Sequence, residues 1–447
     1  MITARAFRGK RYAVLGLARS GLATVEALVA SGAEVVAWDA NKDARAKVGA
    51  GVTLADPLTI DLTGFDGVVV SPGVPINRHP IADHARAAGV PLIGDIELFA
   101  AARAELPPHK VVGITGTNGK STTTALIHHI LQVAGVPSLM GGNIGLPILG
   151  RDPLPAGGVY VLELSSYQID LTFTLDCDVA VLLNITPDHL DRYDGFEGYA
   201  AAKERLFEMQ SAGHAAIIAI EDDRTRMITK TLRHSREGGN PYTQGSEVMD
   251  SRLRGSDGVI EVSSSAITDQ SRWPTLQGPH NAQNVAAAVA VVKALGLDDA
   301  LIEQALTTYP GLPHRMERIR EVNGVLYVND SKATNPTSTA PALSAYPAIH
   351  WILGGRAKSE ELDACAPHFS HVRAAYTIGE AGPMFANVLR NAIPVTECHT
   401  LDVSVKQAAA AAKPGETVLL SPACASFDQF TDYEARGAAF RAAVEAL

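Results

Sequence analysis

The sequence of 447 residues predicts an α/β protein built from three domains. Short apolar runs rich in β-branched residues alternate with helix-like segments, which is typical of parallel sheets covered by helices. Glycine-rich turns join such a run to a helix at two places, at 16–21 and at 116–119. The length suits three domains of roughly 150 residues each. We place the domains at 1–106, 107–313 and 314–447.

Composition and charge exclude several classes of protein. The net charge of −10, without any basic run, argues against a nucleic-acid partner. No apolar run approaches the length of about 18 residues that a membrane span needs. The apolar stretch near the N-terminus ends at Arg19, which is too short for a signal peptide. The four cysteines are scattered and lack C-x-x-C spacing. We therefore expect a cytoplasmic protein that binds neither nucleic acid nor membrane.

The first domain opens with a βαβ unit, which predicts a Rossmann-like fold. The turn at 16–21 is close to the Gly-x-Gly-x-x-Gly pattern, but Ala18 occupies the middle glycine position. The second strand, over 34–38, ends at Asp39. Two interpretations remain open: dinucleotide binding, or a nucleotide diphosphate placed differently over the same turn. A strand over 68–70 runs into Ser71 and Gly73, which form either a ligand-binding edge or an ordinary turn.

The second glycine-rich turn indicates nucleotide binding in a central domain resembling P-loop ATPases. An apolar strand over 110–114 leads into Thr115-Gly116-Thr117-Asn118-Gly119-Lys120-Ser121-Thr122 and then an amphipathic helix. Backbone N–H groups at a helix start suit a polyphosphate, Lys120 would neutralise its outer charges, and Ser121 would hold magnesium. Because Ile114 stands where the usual pattern has glycine, the loop is a variant. An ordinary strand-to-helix turn is the alternative.

Polar residues follow two further strands of the central domain. Glu163 ends the strand over 160–162, where a carboxylate commonly serves as a second ligand of nucleotide-bound magnesium. Ser165 and Gln168 come directly after it. His189 lies between two acids after the strand over 179–183. That histidine could ligate a second cation or serve as a structural residue.

Other features of the central domain carry less information. Lys203 lies on a helix over 196–209 and would on its own be read as a surface lysine. Asn281 and Asn284 lie one helical turn apart, so both amides could face one ligand such as adenine, although helix capping by Asn281 is an alternative. Residues 233–258 lack periodicity and predict an inserted surface loop.

The third domain predicts a second Rossmann-like sheet with a ligand site. Apolar strands over 324–328, 349–353 and 418–420 each deliver polar residues at their carboxyl ends, where open α/β sheets bind small ligands. Lys332 and Lys358 follow two of these strands and would suit a dicarboxylate. Arg315 lies in a hinge-like junction and could reach a terminal phosphate.

These motifs together resemble the Mur ligase family, the ATP-dependent amide ligases of peptidoglycan precursor synthesis. The resemblance runs from about Gly16 to the C-terminus, apart from the insert. It is carried by the runs at 115–121, 163–166, 186–193, 280–284 and 313–315. The motifs at 329–335 and 421–427 are similar to those of members that add D-glutamate to UDP-N-acetylmuramoyl-L-alanine. The Asp-Asn-Pro-Arg motif of diaminopimelate-adding members is absent.

The resemblance implies ATP as co-substrate and two Mg²⁺ ions. Ser121 and Glu163 would hold one ion, and His189 and a carbamylated Lys203 the other, with Lys120 completing the catalytic set. A carbamate replaces a cation by the oxygen ligand that a hard metal prefers. The implied ATP contacts are Gly116, Thr117, Asn118, Gly119, Lys120, Ser121, Thr122, Asn281, Arg315 and Asp330. The implied substrate contacts are Ser20, Asp39, Ser71, Gly73, Asn143, Ser165, Gln168, Lys332, Thr334, Lys358, Ser426 and Phe427.

The reaction implied by the resemblance joins D-glutamate to the nucleotide-linked substrate through an acyl phosphate, in a protein that we expect to be a monomer. Three other functions compete with it. A nicotinamide-dependent dehydrogenase would explain the first turn but not the phosphate loop. A GTPase-type switch would need an Asn-Lys-x-Asp motif, which the sequence lacks. Another ligase of the family, such as a folylpolyglutamate synthase, remains an alternative.

Overall fold

The structure, a computed structural model, describes residues 1–190, 192–237, 258–358 and 360–447. The chain forms two compact units, Met1–Ile267 with Gln283–Leu306 and Thr268–Ala282 with Thr307–Leu447. The predicted α/β class is confirmed, because helices alternate with the strands of three largely parallel sheets. The three-domain boundaries at 106 and 313 stay a prediction.

The first sheet is parallel and has the strand order β3-β2-β1-β4-β5. Its strands are β1 (Arg11–Leu15), β2 (Glu34–Trp38), β3 (Val52–Leu54), β4 (Gly67–Val70) and β5 (Leu92–Ile93). The helices are α1 (Arg19–Ala30), α2 (Lys42–Arg45), α3 (Ile81–Ala87) and α4 (Asp95–Ala102). The chain winds outward in one direction from β1 and then continues on the other side at β4. The crevice between these two strands is therefore the expected ligand position.

The second sheet is also parallel, with the order β11-β10-β9-β6-β8-β7. Its strands are β6 (His109–Thr115), β7 (Ser138–Gly142), β8 (Gly158–Glu163), β9 (Val179–Leu182), β10 (Ala215–Ala219) and β11 (Val259–Val262). The order reverses beside β6, which places the phosphate loop at the ligand-binding edge of this sheet.

Six helices accompany the second sheet in the described part of the chain. They are α5 (Lys120–Val133), α6 (Ser166–Asp170), α7 (Gly195–Glu208), α8 (Asp223–Glu237), α9 (Pro279–Ala294) and α10 (Asp299–Thr308). The predicted insert at 233–258 was partly wrong, because residues 233–237 complete α8. A regular helix continues there despite the polar composition. The rest of that predicted loop, residues 238–257, lies outside the described residues.

The third sheet has the order β12-β13-β17-β14-β15-β16. Its strands are β12 (Glu317–Val322), β13 (Val325–Asn329), β14 (Ile349–Gly354), β15 (Val372–Ile378), β16 (Val395–His399) and β17 (Thr417–Leu420). The helices are α11 (Pro336–Ser344), α12 (Gly382–Leu389), α13 (Leu401–Ala411) and α14 (Tyr433–Glu445). β12 and β13 form an antiparallel hairpin through Asn323 and Gly324, which both have positive φ, as an Asn-Gly hairpin turn requires.

Apolar side chains fill both faces of the sheets. In β14, Trp351 and Leu353 pack on one face while Ile352 packs on the other, as the two-residue strand period dictates. Short 3-10 helices lie at Arg5–Phe7, Arg103–Glu105, Ile148–Gly150, Ser264–Ala266 and Ala366–His371. Among the described residues, no helix combines the length and the apolar character that crossing a membrane requires.

Candidate active site

The phosphate loop connects β6 to α5. Gly116 and Gly119 have positive φ values of 149° and 86°, which glycine adopts readily. A Cβ atom at Gly119 would stand 2.3 Å from Oδ1 of Asn284, so a side chain there requires movement. α5 begins at Lys120 without a side-chain cap on its first turn. Those backbone N–H groups suit the predicted polyphosphate.

Two lysine ammonium groups converge on this loop. Nζ of Lys120 donates to the carbonyl oxygens of Gly116 and Thr117, each at 2.8 Å. Nζ of Lys203, which α7 delivers, donates to the same Gly116 oxygen at 2.9 Å. Lys203 is only 1% exposed, so the alternative of a surface lysine was wrong. Tyr199 and Phe207, each four residues from Lys203 along α7, are buried as well.

The environment of Lys203 disfavours its charged form. Burial, and next the positive charge of Lys120, hold the pKa of Lys203 well below its ordinary value. The nearby carboxylates of Asp188, Asp170 and Glu163 oppose that shift. A lysine of this kind carries a larger share of neutral, nucleophilic amine than a solvated lysine does.

Glu163 ends β8, as the sequence predicted, and is 2% exposed. The strand register pairs it with Ile114, so the carboxylate lies at the edge where the phosphate loop begins. Asn143, which directly follows β7, makes two hydrogen bonds to Glu163: its Nδ2 donates to Oε1 at 3.0 Å, and its backbone N–H donates to the Glu163 carbonyl oxygen at 2.8 Å. The two predicted site residues therefore lie in direct contact.

The donor set fits a magnesium ion that is bound together with a phosphate. Among the residues that the structure describes, no three His, Cys, Asp or Glu side chains are grouped to hold a metal alone. Mg²⁺ in nucleotide sites typically takes one or two protein oxygens and completes its shell with phosphate and water. The buried Glu163 carboxylate and the buried Ser121 hydroxyl are oxygen donors of that kind.

His189 lies on the loop after β9, in a left-handed conformation with φ of 52°. Oδ1 of Asp188 accepts the backbone N–H of His189 at 2.9 Å, which fixes this turn. The imidazole ring lies 5.1 Å from the ring of Tyr167 and 6.3 Å from the ring of Tyr199. Nζ of Lys203 lies 4.6 Å from that Tyr199 ring, so His189 and Lys203 flank one aromatic side chain.

Two side chains connect this loop to the phosphate loop: Thr117, a predicted ATP contact, and Asn184, which sequence reasoning missed. Oγ1 of Thr117 accepts the Thr186 backbone N–H at 3.0 Å and lies 3.2 Å from the Tyr199 hydroxyl. Oδ1 of Asn184 accepts the Asn118 backbone N–H at 2.8 Å. Asn184 directly follows an apolar strand, the same signal that identified Glu163.

The two asparagines of α9 have separate hydrogen bonds. Oδ1 of Asn284 accepts from Oγ1 of Thr123 at 3.2 Å, beside the phosphate loop. Nδ2 of Asn281 donates to the Gln277 carbonyl oxygen at 3.0 Å. α9 already begins at Pro279, so Asn281 lies inside its first turn. Their joint contact with adenine stays a prediction.

Ser165 and Gln168 form hydrogen bonds with each other. Oγ of Ser165 accepts the Gln168 backbone N–H at 3.3 Å, and Oε1 of Gln168 accepts the Ser165 backbone N–H at 3.1 Å. This reciprocal pair is a capping box that starts α6. Both side chains therefore have a structural role in addition to any contact with substrate.

Candidate residues of the first sheet surround one turn. Oγ of Ser71 donates to the Gly16 carbonyl oxygen at 2.9 Å. Oδ2 of Asp39 accepts the Leu17 backbone N–H at 2.7 Å. Ser20 lies in the first turn of α1, and no side chain caps this helix end. The backbone N–H groups of that turn therefore suit a diphosphate. Gly73 lies on the exposed tip of the loop after β4.

The carboxylate of Asp39 bears on the dinucleotide interpretation. Its second oxygen, Oδ1, accepts the Asn41 backbone N–H at 2.8 Å, so both oxygens hold the local backbone. In dinucleotide sites the acid at this position binds the ribose hydroxyls. This geometry favours the other interpretation, a nucleotide diphosphate over the turn.

In the second compact unit, Asp330 follows β13 and is buried. Oδ2 accepts the Ser421 hydroxyl at 2.8 Å, and Oδ1 accepts the Met316 backbone N–H at 3.2 Å. Burial raises the pKa of Asp330 to about 7. The neighbouring Arg315 lies between two left-handed residues, His314 and Met316, with φ of 61° and 45°.

The remaining candidates of this unit surround the carboxyl ends of β13, β14 and β17. Ser426 is buried, whereas Phe427 is 64% exposed and Lys358 is also exposed. Backbone hydrogen bonds of 2.9 and 3.0 Å between Arg356 and Ala425 join the loops that carry them. Nζ of Lys332 lies 5.1 Å from the ring of Tyr433, and Thr334 is half-buried.

Arg436, which sequence reasoning missed, organises the same strand ends. Its side chain is 1% exposed and comes from α14. Its guanidinium donates to carbonyl oxygens of Ser331 at 2.8 Å and Cys424 at 3.0 Å, and Nε donates to the Ser331 hydroxyl at 3.0 Å. It thus connects the loops that follow β13 and β17. An arginine on a helix gives no sequence signal for such burial, because most are solvated.

Comparisons with known proteins identify the family. The family description "Mur ligase middle domain" matches residues 114–292, and "Mur ligase, glutamate ligase domain" matches residues 314–424. A UDP-N-acetylmuramoylalanine–D-glutamate ligase of Novosphingobium aromaticivorans is 62% identical over 447 residues, covering 100% of this chain and 97% of its own. Proteins with the same name from Sphingopyxis alaskensis and Zymomonas mobilis are 62% and 56% identical, with 100% of both chains covered.

Solved structures agree on the fold. The UDP-N-acetylmuramate-alanine ligase of Thermotoga maritima aligns with a TM-score of 0.56 at 16% identity, covering 98% of this chain and 99% of its own. The MurF ligase of Thermotoga maritima, solved in complex with ADP, aligns with a TM-score of 0.59 at 15% identity, covering 98% and 96%. Given the matched family descriptions and the full-length identity, the chain belongs to the Mur ligase family.

Proposed function

We propose that this protein is an ATP-dependent ligase that joins D-glutamate to UDP-N-acetylmuramoyl-L-alanine in peptidoglycan precursor synthesis. The sequence identity over the whole chain with ligases of that name supports this activity over a folylpolyglutamate synthase. The structural observation that carries it is the convergence of Lys120 and Lys203 on the Gly116 carbonyl, beside the buried Glu163. That arrangement suits transfer of a terminal phosphate.

The reaction proceeds in two steps. The alanine carboxylate of the nucleotide-linked substrate attacks the γ-phosphorus of ATP, and ADP leaves, giving an acyl phosphate. The amine of D-glutamate then attacks the acyl carbon, loses a proton, and inorganic phosphate leaves. Because anions must approach each other, Lys120 and the first-turn N–H groups of α5 stabilise the charge that develops on phosphate.

Magnesium, when bound, would supply further positive charge to neutralise the phosphates. We assign one ion to Ser121 and Glu163 and a second to His189 and Lys203. Asn143 orients the Glu163 carboxylate through its hydrogen bond to Oε1. Lys120 cannot act as a ligand while it is cationic, so its part is to hold phosphate.

The assignment of Lys203 requires its conversion to a carbamate. A neutral lysine amine adds to carbon dioxide, and loss of a proton leaves an anionic N-carboxylate. Burial and the charge of Lys120 favour the neutral amine. The product would place carboxylate-type oxygens, the donors that magnesium prefers, beside His189.

The nucleotide and D-glutamate are assigned to the two flanking sheets, and Asn143, Ser165 and Gln168 of the central sheet are the remaining substrate contacts. Ser20, Asp39, Ser71 and Gly73 surround a turn that suits a nucleotide diphosphate. The D-glutamate contacts are assigned to Lys332, Thr334, Lys358, Ser426 and Phe427. Asn281, Arg315 and Asp330 are assigned to ATP. Two lysines suit the two carboxylates of D-glutamate.

We further propose a cytoplasmic monomer without a nucleic-acid partner. ATP consumption fits the cytoplasm, and all four cysteines are buried and free of disulfides.

The test of the function is phosphate release with UDP-N-acetylmuramoyl-L-alanine against a panel of L- and D-amino acids. We expect release with D-glutamate above all others; equal release with every amino acid, or none with D-glutamate, would reject the proposal.

A further inference from the structure

We infer that Arg192 is a positioning residue for the nucleotide-linked substrate, because it fastens the loop after β4 to the loop that carries His189. This inference rests on the proposed function, which gives the substrate-binding role to Ser71 and Gly73. Arg192 itself belongs to none of the sites assigned above.

The side chain of Arg192 reaches from the central sheet to the first sheet. Its Nη1 atom donates to the carbonyl oxygens of Pro72 at 3.4 Å and Val74 at 3.3 Å. Its guanidinium carbon lies 3.6 Å from the ring centre of Tyr167, a stacking contact that fixes the planar group. The residue is only 9% exposed, so these contacts occur away from bulk water.

The loop that Arg192 holds has little other support at its tip. Gly73 is exposed, and no atom lies within 4 Å of the position that its Cβ would take. A cavity of about 460 Å³ lies beside the continuation of the loop, lined in part by Ile76, Leu171, Phe173 and Arg192. Val74 and Ile76 pack against the core of the first sheet, and the Arg192 hydrogen bonds to the Pro72 and Val74 carbonyls add the support that comes from the central sheet.

The contacts of Arg192 connect the proposed binding site of the nucleotide-linked substrate with the proposed phosphate-transfer site. On one side, Ser71 begins the held loop and donates to the Gly16 carbonyl, next to the N-terminal turn of α1. On the other side, the Tyr167 ring under Arg192 also lies 5.1 Å from the His189 ring. Movement of Arg192 would thus shift the nucleotide-linked substrate relative to the phosphate-transfer centre.

Arg205 provides a matched control. Its Nη1 and Nη2 atoms donate to the carbonyl oxygens of Ile169 at 3.0 Å and Thr172 at 2.9 Å, and its guanidinium lies 5.2 Å from the Phe173 ring. These are the same kinds of contact as those of Arg192. None of these contacts involves the loop after β4. A variant without Arg205 therefore loses similar contacts, but the position of that loop should not change.

The experiment compares Arg192→Gln, Arg192→Lys and Arg205→Gln in the full-length protein by steady-state phosphate release. For Arg192→Gln we expect KM for UDP-N-acetylmuramoyl-L-alanine to rise roughly tenfold, the effect of losing one or two charge-assisted hydrogen bonds, while KM for ATP and D-glutamate stays within twofold. Arg192→Lys should recover part of the change, since its ammonium can still donate to a carbonyl. Arg205→Gln should leave all three KM values within twofold.

Several results would overturn the inference. Unchanged KM for the nucleotide-linked substrate in Arg192→Gln would do so, as would an equal rise in all three KM values or the same rise in Arg205→Gln. If Arg192→Gln does not fold, Tyr167→Leu, which removes the ring beneath the guanidinium, should give the selective rise, and an unchanged KM there counts against it. An inactive wild-type protein would instead reject the proposed function itself.

Discussion

Lys120 and Lys203 donate to one and the same acceptor, the carbonyl oxygen of Gly116, at 2.8 and 2.9 Å. The two residues come from different helices, α5 and α7, and two ammonium groups at one oxygen repel each other. Burial of Lys203 adds to this and lowers its pKa. An anion bound beside the two lysines would relieve this repulsion, and so would conversion of the Lys203 amine to a carbamate.

Removal of the Lys203 side chain should abolish ligation. Lys203→Ala deletes the proposed carbamate, and loss of one such charged group costs about 3 kcal/mol of barrier, or more than a hundredfold in kcat. Short carboxylates such as acetate should restore part of the rate by taking the place of the carbamate. Phosphate release measures both effects. The exposed Lys230→Ala on α8 serves as control and should behave as wild type; full activity of Lys203→Ala would refute the assignment.

Substitution of Gly119 should affect the phosphate loop more than backbone strain alone explains. The added Cβ in Gly119→Ala meets Asn284 at 2.3 Å, so the loop must shift and MgATP binding should weaken at least tenfold. Gly135→Ala is the matched control, since its φ is 73° but its surroundings are open. Calorimetric titration with MgATP measures the affinity of each variant. Equal affinity of both variants would show that the close approach to Asn284 has no influence on nucleotide binding.

The buried Asp330 should make stability depend on pH. Its pKa of about 7 exceeds the ordinary value of 3.8, so between these pH values the native state binds more protons than the unfolded state. The free energy of unfolding therefore falls as pH rises through that window. Asp330→Asn cannot titrate but can still accept from Ser421, so its Tm should fall less between pH 4 and pH 7. The exposed Asp363→Asn is the control, and identical pH profiles for Asp330→Asn and wild type would contradict the account.

Replacement of Arg436 should destabilise the second compact unit. Arg436→Lys keeps the charge but loses the planar fork that serves Ser331 and Cys424. Buried carbonyl oxygens then lose donors, at a cost of about 2 kcal/mol or more in free energy of unfolding. Urea unfolding measures this. Arg441→Lys on the same helix changes a side chain that is 40% exposed and keeps a cation for the ion pair with Glu317, so it should cost less than about 0.5 kcal/mol; a similar small loss for Arg436→Lys would be the contrary result.

The sequence predicted those parts of the site that depend on chain order alone. A polar residue that ends or directly follows an apolar strand must lie at the carboxyl edge of a parallel sheet, which is where Glu163 and Asp330 lie; their roles stay predictions. The phosphate loop could also be identified from the sequence, because Gly116, Gly119 and Lys120 lie close together along the chain. Asn184 carried the same signal and was overlooked.

What the sequence could not supply depends on packing between distant segments. Nothing local distinguishes the buried Lys203 or Arg436 from solvated residues on a helix, because burial is decided by what covers that helix face. Asp39 was identified, but its use of both carboxylate oxygens for the turn depends on how Leu17 and Asn41 present their N–H groups. Residues 233–237 extend α8 although their polar composition is typical of a loop.

The most direct test of the central claim follows one oxygen atom. UDP-N-acetylmuramoyl-L-alanine carrying ¹⁸O at both oxygens of the alanine carboxylate is incubated with MgATP, D-glutamate and the protein, and the released phosphate is analysed by mass spectrometry. Transfer of the γ-phosphate to that carboxylate predicts one ¹⁸O atom in each phosphate released and one retained in the amide. Phosphate without label would contradict the account, because the carboxylate would then never have attacked ATP.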